Sequence, residues 1–199
     1  MSIERNPAST VRTKNGIATN VSASTAPDVA APPAEDQKLV QFAPSRRDRS
    51  FTEKRAVLRA LVRGEGEACT NAIVFCNRKT TVRELAKSLQ QSGFSAGEIH
   101  GDMEQPARIA ELDRFKAGTI NILCASDVAA RGLDIKGVSH VFNFDTPWHP
   151  DDYVHRIGRT GRAGATGRAF TFVTPEDAEA IDKVEQLTGG GIPVFELGE

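Results

Sequence analysis

Only three cysteines occur in the chain, Cys69, Cys76 and Cys124, and no two form a C-x-x-C pair. That usage frames neither a disulfide scaffold nor a zinc site, and it fits a reducing compartment. Cys76 and Cys124 lie in the apolar runs AIVFC and INILCAS, where a small buried core residue is the expected role. No apolar run reaches the roughly 20 residues of a membrane-spanning helix, and the N-terminus lacks the apolar core of a signal peptide. A soluble, cytoplasmic protein without a membrane partner is expected. Excess positive charge is missing too: 25 Lys and Arg face 26 Asp and Glu, for a net charge of -1. Such a chain does not hold a polyanion by bulk electrostatics, so any nucleic-acid site must be local.

The signatures of a self-sufficient nucleotide enzyme are also lacking. A phosphate-binding P-loop needs G-x-x-x-x-G-K-[ST], and no Gly-Lys-Ser or Gly-Lys-Thr occurs. There is no G-x-G-x-x-G fingerprint, no H-x-x-x-H helix, no G-x-S-x-G elbow and no Asp-Glu dipeptide. These absences exclude the common ways of holding a nucleotide, a catalytic zinc or a serine nucleophile within one domain.

What is present begins after a low-complexity lead. Residues 1–37 are rich in Ala, Ser, Thr, Pro and Asn, contain no aromatic residue and show no structural period. Such a segment cannot bury enough apolar surface to offset its ordering entropy, so disorder is expected. Pro7 and Gly16 interrupt any amphipathic helix there, which argues against an organellar transit peptide.

Residues 38–199 read as one domain, since 199 residues suffice for a single well-buried core and hardly for two. Strands are expected at LVQF (39–42), AIVFC (72–76), SAGEIH (95–100), INILCAS (120–126), VSHVFNF (138–144) and RAFTFVT (168–174). Between them lie amphipathic helices. One is opened by a Ser50/Glu53 capping box and closed by Gly64, one carries Val82, Leu85, Ala86 and Leu89, and one buries Ile109, Leu112 and Phe115. DDYVHRI (151–157) is helical after Pro150, and Thr174, Pro175 and Asp177 cap a last helix carrying Ala180, Val184 and Leu187. Strand-helix alternation implies an open, mostly parallel α/β sheet with helices on both faces. Ligands of such folds sit at the C-terminal strand ends, here the polar segments CNRKT, HGDMEQ, SDVAARGLD and DTPWHP.

From that edge projects HRIGRTGRAG (155–164), a basic run with no acid to balance it. Two of its glycines, Gly158 and Gly161, would each cost a helix about 1 kcal/mol relative to alanine, so the run is not there for folding alone. Arg156, Arg159 and Arg162 are three apart, so a helical turn running into a loop presents at least two of them in one direction. An arginine supplied onto a nucleotide held by another domain stabilises phosphoryl transfer by a factor of about 10³–10⁵ in rate.

HRIGRTGR (155–162) resembles motif VI of the DEAD-box RNA helicases. AIVFCNRK (72–79) resembles motif IV, HGDMEQPAR (100–108) contains the Q-x-x-R element, and ASDVAARGLD (125–134) resembles motif V. The four occur in family order over residues 38–199, the span of the second RecA-like domain, without the Walker A, DEAD and SAT motifs of the first. The resemblance implies that Arg159 and Arg162 are arginine fingers for the γ-phosphate. His155 and Arg156 would bridge to the nucleotide and the first domain, and Asp134 would contact the ATP ribose. Arg131 would pair with the first domain, with Phe75 supporting the motif VI arginines from the core. RNA phosphates and riboses would be gripped by Asn77, Arg78, Gly101, Asp102, Gln105 and Arg108, while Ser126, Asp127 and Gly132 would bind near the RNA backbone or couple it to ATP. Ser126 stands where the family usually has Thr, which keeps the hydroxyl, and Arg78 stands where the family often has Thr, so that a charge-assisted phosphate contact would replace its hydrogen bond.

The implied function is the C-terminal half of an ATP-dependent RNA helicase, monomeric, acting on single-stranded or short duplex RNA. ATP with Mg²⁺ would be held mainly by the N-terminal lobe, and the isolated chain is expected not to hydrolyse ATP. The alternative is a non-catalytic module that occupies RNA or a helicase partner. Taken singly, Asp127 and Asp134 read equally well as caps or turn residues. His100 alone reads as a turn or core residue, His140 and His149 are expected to be structural, and Trp148 is expected to pack rather than to stack on a base.

Overall fold

A computed structural model of the chain describes residues 36–161 and 167–196. The expectation of disorder over residues 1–37 lies outside the described residues except for Asp36 and Gln37, which begin the first strand. Six strands form: β1 (Asp36–Gln41), β2 (Ala72–Cys76), β3 (Ala96–Ile99), β4 (Ile122–Ser126), β5 (His140–Asn143) and β6 (Arg168–Val173). They make one sheet in the order β1-β6-β5-β2-β4-β3, every neighbouring pair parallel. Six α-helices connect them: α1 (Ser50–Glu65), α2 (Lys79–Gln91), α3 (Gln105–Lys116), α4 (Asp127–Arg131), α5 (Pro150–Ile157) and α6 (Ala178–Thr188).

Both faces of the sheet are covered, which is why AIVFC is buried at every position. Ala72, Val74 and Cys76 join Leu58 and Leu61 of α1 and Leu85 and Leu89 of α2 in one core. Ile73 and Phe75 point the other way, into a core with Leu112 and Phe115 of α3, Tyr153 and Ile157 of α5, and Ile181 and Val184 of α6. The alternation follows from the period of two along a strand. His140 is structural as expected. It is buried, its ring stacks on Phe142 and its Nε2 lies 2.7 Å from Glu65, whose carboxylate also accepts from Arg168.

Three local expectations need correction. The Ser50/Glu53 capping box does not form, because a 3-10 turn over Arg47–Arg49 already leaves Ser50 in helical geometry. Glu53 instead accepts hydrogen bonds from the Ser45 hydroxyl and its N–H, which holds its carboxyl below the usual carboxylate range. The helix then runs past Gly64 to Glu65 and stops at Gly66, whose φ of 56° suits glycine. Finally, Ile109 is 46% exposed and Leu187 41% exposed. The inward stripes are Arg108, Glu111, Leu112 and Phe115 on α3, and Ile181, Val184 and Thr188 on α6. The Thr174/Asp177 box does form, opening a 3-10 turn over Pro175–Asp177 that leads into α6.

The two outer strands differ in their surroundings. On β1, the Leu39 N–H donates to the Pro193 carbonyl (2.8 Å) and the Leu39 carbonyl accepts from Phe195 N–H (2.7 Å). On β3, the Glu98 N–H donates to the Glu111 carboxylate (3.0 Å) and the Ala96 carbonyl accepts from the Gln90 side chain (2.8 Å).

Candidate functional site

Parallel pairing brings the C-terminal ends of all six strands to one edge, so segments distant in sequence meet there. Asn77 and Arg78 follow β2, and His100, Gly101 and Asp102 follow β3. Ser126 ends β4 and sits at the N-cap of α4, while Asp145 to His149 link β5 to α5.

Arg156 organises this edge from below. It is 1% exposed, and its guanidinium forks onto Asp127, with Nε to one carboxylate oxygen and Nη2 to the other, both at 2.7 Å. Nη2 also donates to Asn77 Oδ1 (2.7 Å), and Nη1 donates to the Asp145 carbonyl (2.8 Å) and Asn143 Oδ1 (3.5 Å). All five donors of the planar group are thereby engaged inside the domain. The ring of Phe75 lies beneath, 5.3 Å from the guanidinium carbon. Arg156, expected at the nucleotide and the first lobe, thus binds α5 to α4, to the loop after β2 and to the end of β5. Asn77 and Asp127 are the other members of this cluster, and Asn77 also donates from its side chain to the Thr146 carbonyl (2.8 Å).

Arg159 lies one turn further on. Its guanidinium donates to the carbonyls of Ala130 (2.9 Å) and Leu133 (2.9 Å), with Ile135 at 3.3 Å, so it rests on the C-terminal end of α4 and the loop beyond. The negative end of a helix favours such a cation. Arg131 pairs with Asp152 of α5. Gly132 and Asp134 are exposed on the same loop, Asp134 with Lys136 at 3.2 Å, and His155 is exposed on α5. A cleft of about 190 Å³ lies between Ile135, Lys136, Val154, His155, Gly158 and Arg159. Arg162 lies outside the described residues.

On the other flank, Asp102 accepts from Lys79 (2.7 Å) and Arg83 (3.4 Å), and the Lys79 hydrogen bond holds its carboxyl below the usual range. His100 is buried, its Nε2 3.3 Å from Glu98 and its Nδ1 accepting from Asp102 N–H. Arg108 donates to the Met103 carbonyl (3.0 Å), which braces the turn between them. Gly101 and Gln105 are exposed on that turn and at the first position of α3. Trp148 departs from expectation: it is 61% exposed, and the Arg78 guanidinium stands 5.9 Å from its ring centre. The cleft beside it is lined by polar residues, Asn77, Asp145 and Thr146 among them.

The sequence reading missed Asp145 and Lys54. Asp145 accepts from Lys54 Nζ (3.1 Å) and from the Asn77 N–H (2.9 Å), while its carbonyl receives Arg156. Lys54 is buried, with its ammonium 4.7 Å from the centre of the Phe144 ring. Asp145 heads the polar segment DTPWHP, a signal that was available. Lys54 sits on an ordinary amphipathic helix far away in sequence, and nothing local marks it. Among the described residues no three Asp, Glu, His or Cys side chains converge as a metal site.

Known proteins are similar to this chain in sequence and in fold. The DEAD-box ATP-dependent RNA helicase CshA of Bacillus subtilis (strain 168) is 56% identical over 117 residues, which are 59% of this chain and 24% of that protein. The CshA of Geobacillus kaustophilus matches equally well over the same length, so the chain spans about a quarter of these curated relatives. Among solved structures, the E. coli DEAD-box protein SrmB bound to regulator of ribonuclease activity A superposes with a TM-score of 0.73 at 36% identity. That match covers 82% of this chain and 91% of the other. The C-terminal domain of the DEAD-box protein Dbp5 gives a TM-score of 0.67 at 27% identity, over 80% and 89% of the two chains. The helicase conserved C-terminal domain profile matches residues 53–164, more than half of the sequence. This chain therefore belongs to the helicase conserved C-terminal domain family and has the RecA-like fold of that domain in DEAD-box proteins.

Proposed function

We propose that the chain is the C-terminal lobe of an ATP-dependent RNA helicase, completing an active site whose ATP and Mg²⁺ are held by an N-terminal RecA-like lobe. Arg159 and Arg162 act as arginine fingers that stabilise the charge on the transferring γ-phosphate. Asp134 and His155 face the nucleotide beside them, and Arg131 meets the first lobe. Arg156 serves the nucleotide by position, with Phe75 beneath it, since its own donors are engaged within the domain. RNA phosphates and riboses run along Asn77, Arg78, Gly101, Asp102, Gln105, Arg108, Ser126, Asp127 and Gly132. Such contacts are insensitive to sequence and weaken with salt. The enzyme works as a cytoplasmic monomer, and the three free cysteines support a reducing setting. No helix among the described residues is long and apolar enough to cross a membrane.

One observation carries the reading. Arg159 rests on the carbonyls at the end of α4 while Arg156 clamps that helix to α5, so the two segments that would meet nucleotide and RNA form one unit. The test is RNA-stimulated phosphate release by this chain mixed with a separately purified Walker-A-bearing lobe. Release is expected only in the mixture, and Arg159→Ala should lower it by about 10³ or more. Full activity of Arg159→Ala, or saturable RNA-stimulated hydrolysis by the chain alone, would sink the proposal.

A further inference from the structure

A cleft of about 290 Å³ opens between the start of α1, the loop after β2 and the loop after β5. Its walls include Lys54, Arg78, Asp145, Trp148, Thr174 and Glu176. We propose that this cleft is a nucleoside pocket: one unstacked base of the bound RNA stacks on the platform made by Trp148 and Arg78, with its ribose and base edge reaching the polar floor. The proposal rests on the RNA reading above and adds to it a contact with a base.

Four observations favour it. First, Trp148 is exposed on a constrained stretch of backbone. Pro147 precedes it and His149, which must be extended before Pro150, follows it at φ -118° and ψ 135°. An exposed indole beside a guanidinium is a stacking surface, and base stacking on such surfaces tolerates any base. Second, the platform continues the RNA track, because Arg78 lies between Asn77 and Lys79, and Lys79 pairs with Asp102. Third, the charges sort the parts of a nucleotide. Glu176 repels a phosphate but accepts hydrogen bonds from a 2′-hydroxyl or an exocyclic amine, the Asp145 charge being met by Lys54, whereas Arg78 in the wall suits the phosphate. Fourth, the volume lies at the low end of the roughly 300–1,000 Å³ range of small-ligand sites, which suits one nucleoside. A protein anchor would want a drier, apolar surround than these hydroxyls and carboxylates provide.

Trp148 is the only tryptophan in the chain, so its emission reports on this cleft alone. The full chain is titrated at low salt with a short single-stranded RNA and with an abasic oligomer of the same backbone. Tryptophan emission is read in parallel with the anisotropy of labelled RNA. RNA should quench Trp148 and the abasic oligomer should not. Trp148→Ala should weaken RNA binding about tenfold, within the range for loss of one stacked base, and Trp148→Phe should weaken it less. Circular dichroism of the variants, which change an exposed side chain, verifies folding. RNA binding with unchanged emission, and with the same affinity in Trp148→Ala, overturns the platform while leaving the RNA track standing, and turns the cleft over to a protein partner. Equal quenching by the abasic oligomer also overturns it. Absence of RNA binding by either readout overturns both readings.

Discussion

Replacing Arg156 by alanine should destabilise the domain severely, and the structure sets the scale. The change removes a two-pronged ion pair with Asp127 and the bonds to Asn77 Oδ1 and the Asp145 carbonyl, all at 2.7–2.8 Å. Breaking a buried pair from one side costs about 3–5 kcal/mol, because the remaining charge is left uncompensated. Asp127 keeps some access to water, which lowers the cost, while the orphaned Asn77 oxygen and the cavity left by the side chain raise it. The balance is about 4 kcal/mol against a total domain stability of about 5–15 kcal/mol. At about 2–4 °C per kcal/mol, the melting temperature should fall by about 8–16 °C. Urea and thermal denaturation followed by far-ultraviolet circular dichroism measure the loss of stability and the fall in melting temperature. Arg156→Lys keeps the charge but not the planar fork, so it should fall between the two. In Arg156→Ala/Asp127→Ala part of the loss should be recovered, with a coupling of about 2–3 kcal/mol. A loss below about 1 kcal/mol in Arg156→Ala, or strict additivity in the double variant, would refute the keystone role.

Two further outcomes follow from local geometry. A methyl group at Gly167 would overlap the Thr160 side chain and approach the Gly161 nitrogen to 2.8 Å. Gly167→Ala should therefore cost about 1–3 kcal/mol. Thr160→Ala, which removes a buried hydroxyl lacking a hydrogen-bond partner among the described residues, should restore part of that in the same denaturation assay. The thiol of Cys69 is pushed up to about 11, first by burial and then by the nearby Glu65 charge. At pH 8 its thiolate is about a hundredfold scarcer than for a thiol at 9.0, and the greater nucleophilicity of a more basic thiolate returns about tenfold of this. Iodoacetamide should thus alkylate Cys69 about tenfold more slowly in the native chain than in urea, as read by peptide mass spectrometry. Equal rates would show that the site is open.

The strands were legible because a sheet buried on both faces demands uninterrupted apolar runs, and AIVFC can hardly serve otherwise. Local alternatives obscured the rest. Ser50 and Glu53 have capping-box spacing, yet Ser45 reaches Glu53 first once the chain has tightened into a 3-10 turn. Ile109 and Leu187 lie close enough to the apolar stripe to be counted in it, but Arg108 and Ile181 take the inward positions. At the candidate site, motif spacing picked out segments without revealing who touches whom. The partners of Arg156 come from the ends of β2, β4 and β5, and only parallel pairing brings Asn77, Asp127 and Asp145 within reach of one guanidinium. Trp148 was misjudged because tryptophan usually packs, whereas this one stands over a polar floor.

The way the sheet ends on each side governs how this protein can associate. An open outer strand is a template on which a foreign strand can add, and from there aggregates grow. Here the β1 side is occupied by the chain's own residues 193–195, while on the β3 side two helices lend the Glu111 carboxylate and the Gln90 amide to backbone groups that a newcomer would need. Gly97 makes the second arrangement possible, since any side chain there would collide with Glu111. Growth by strand addition is thereby discouraged in both directions, so that two copies of the folded chain can meet without either sheet extending the other.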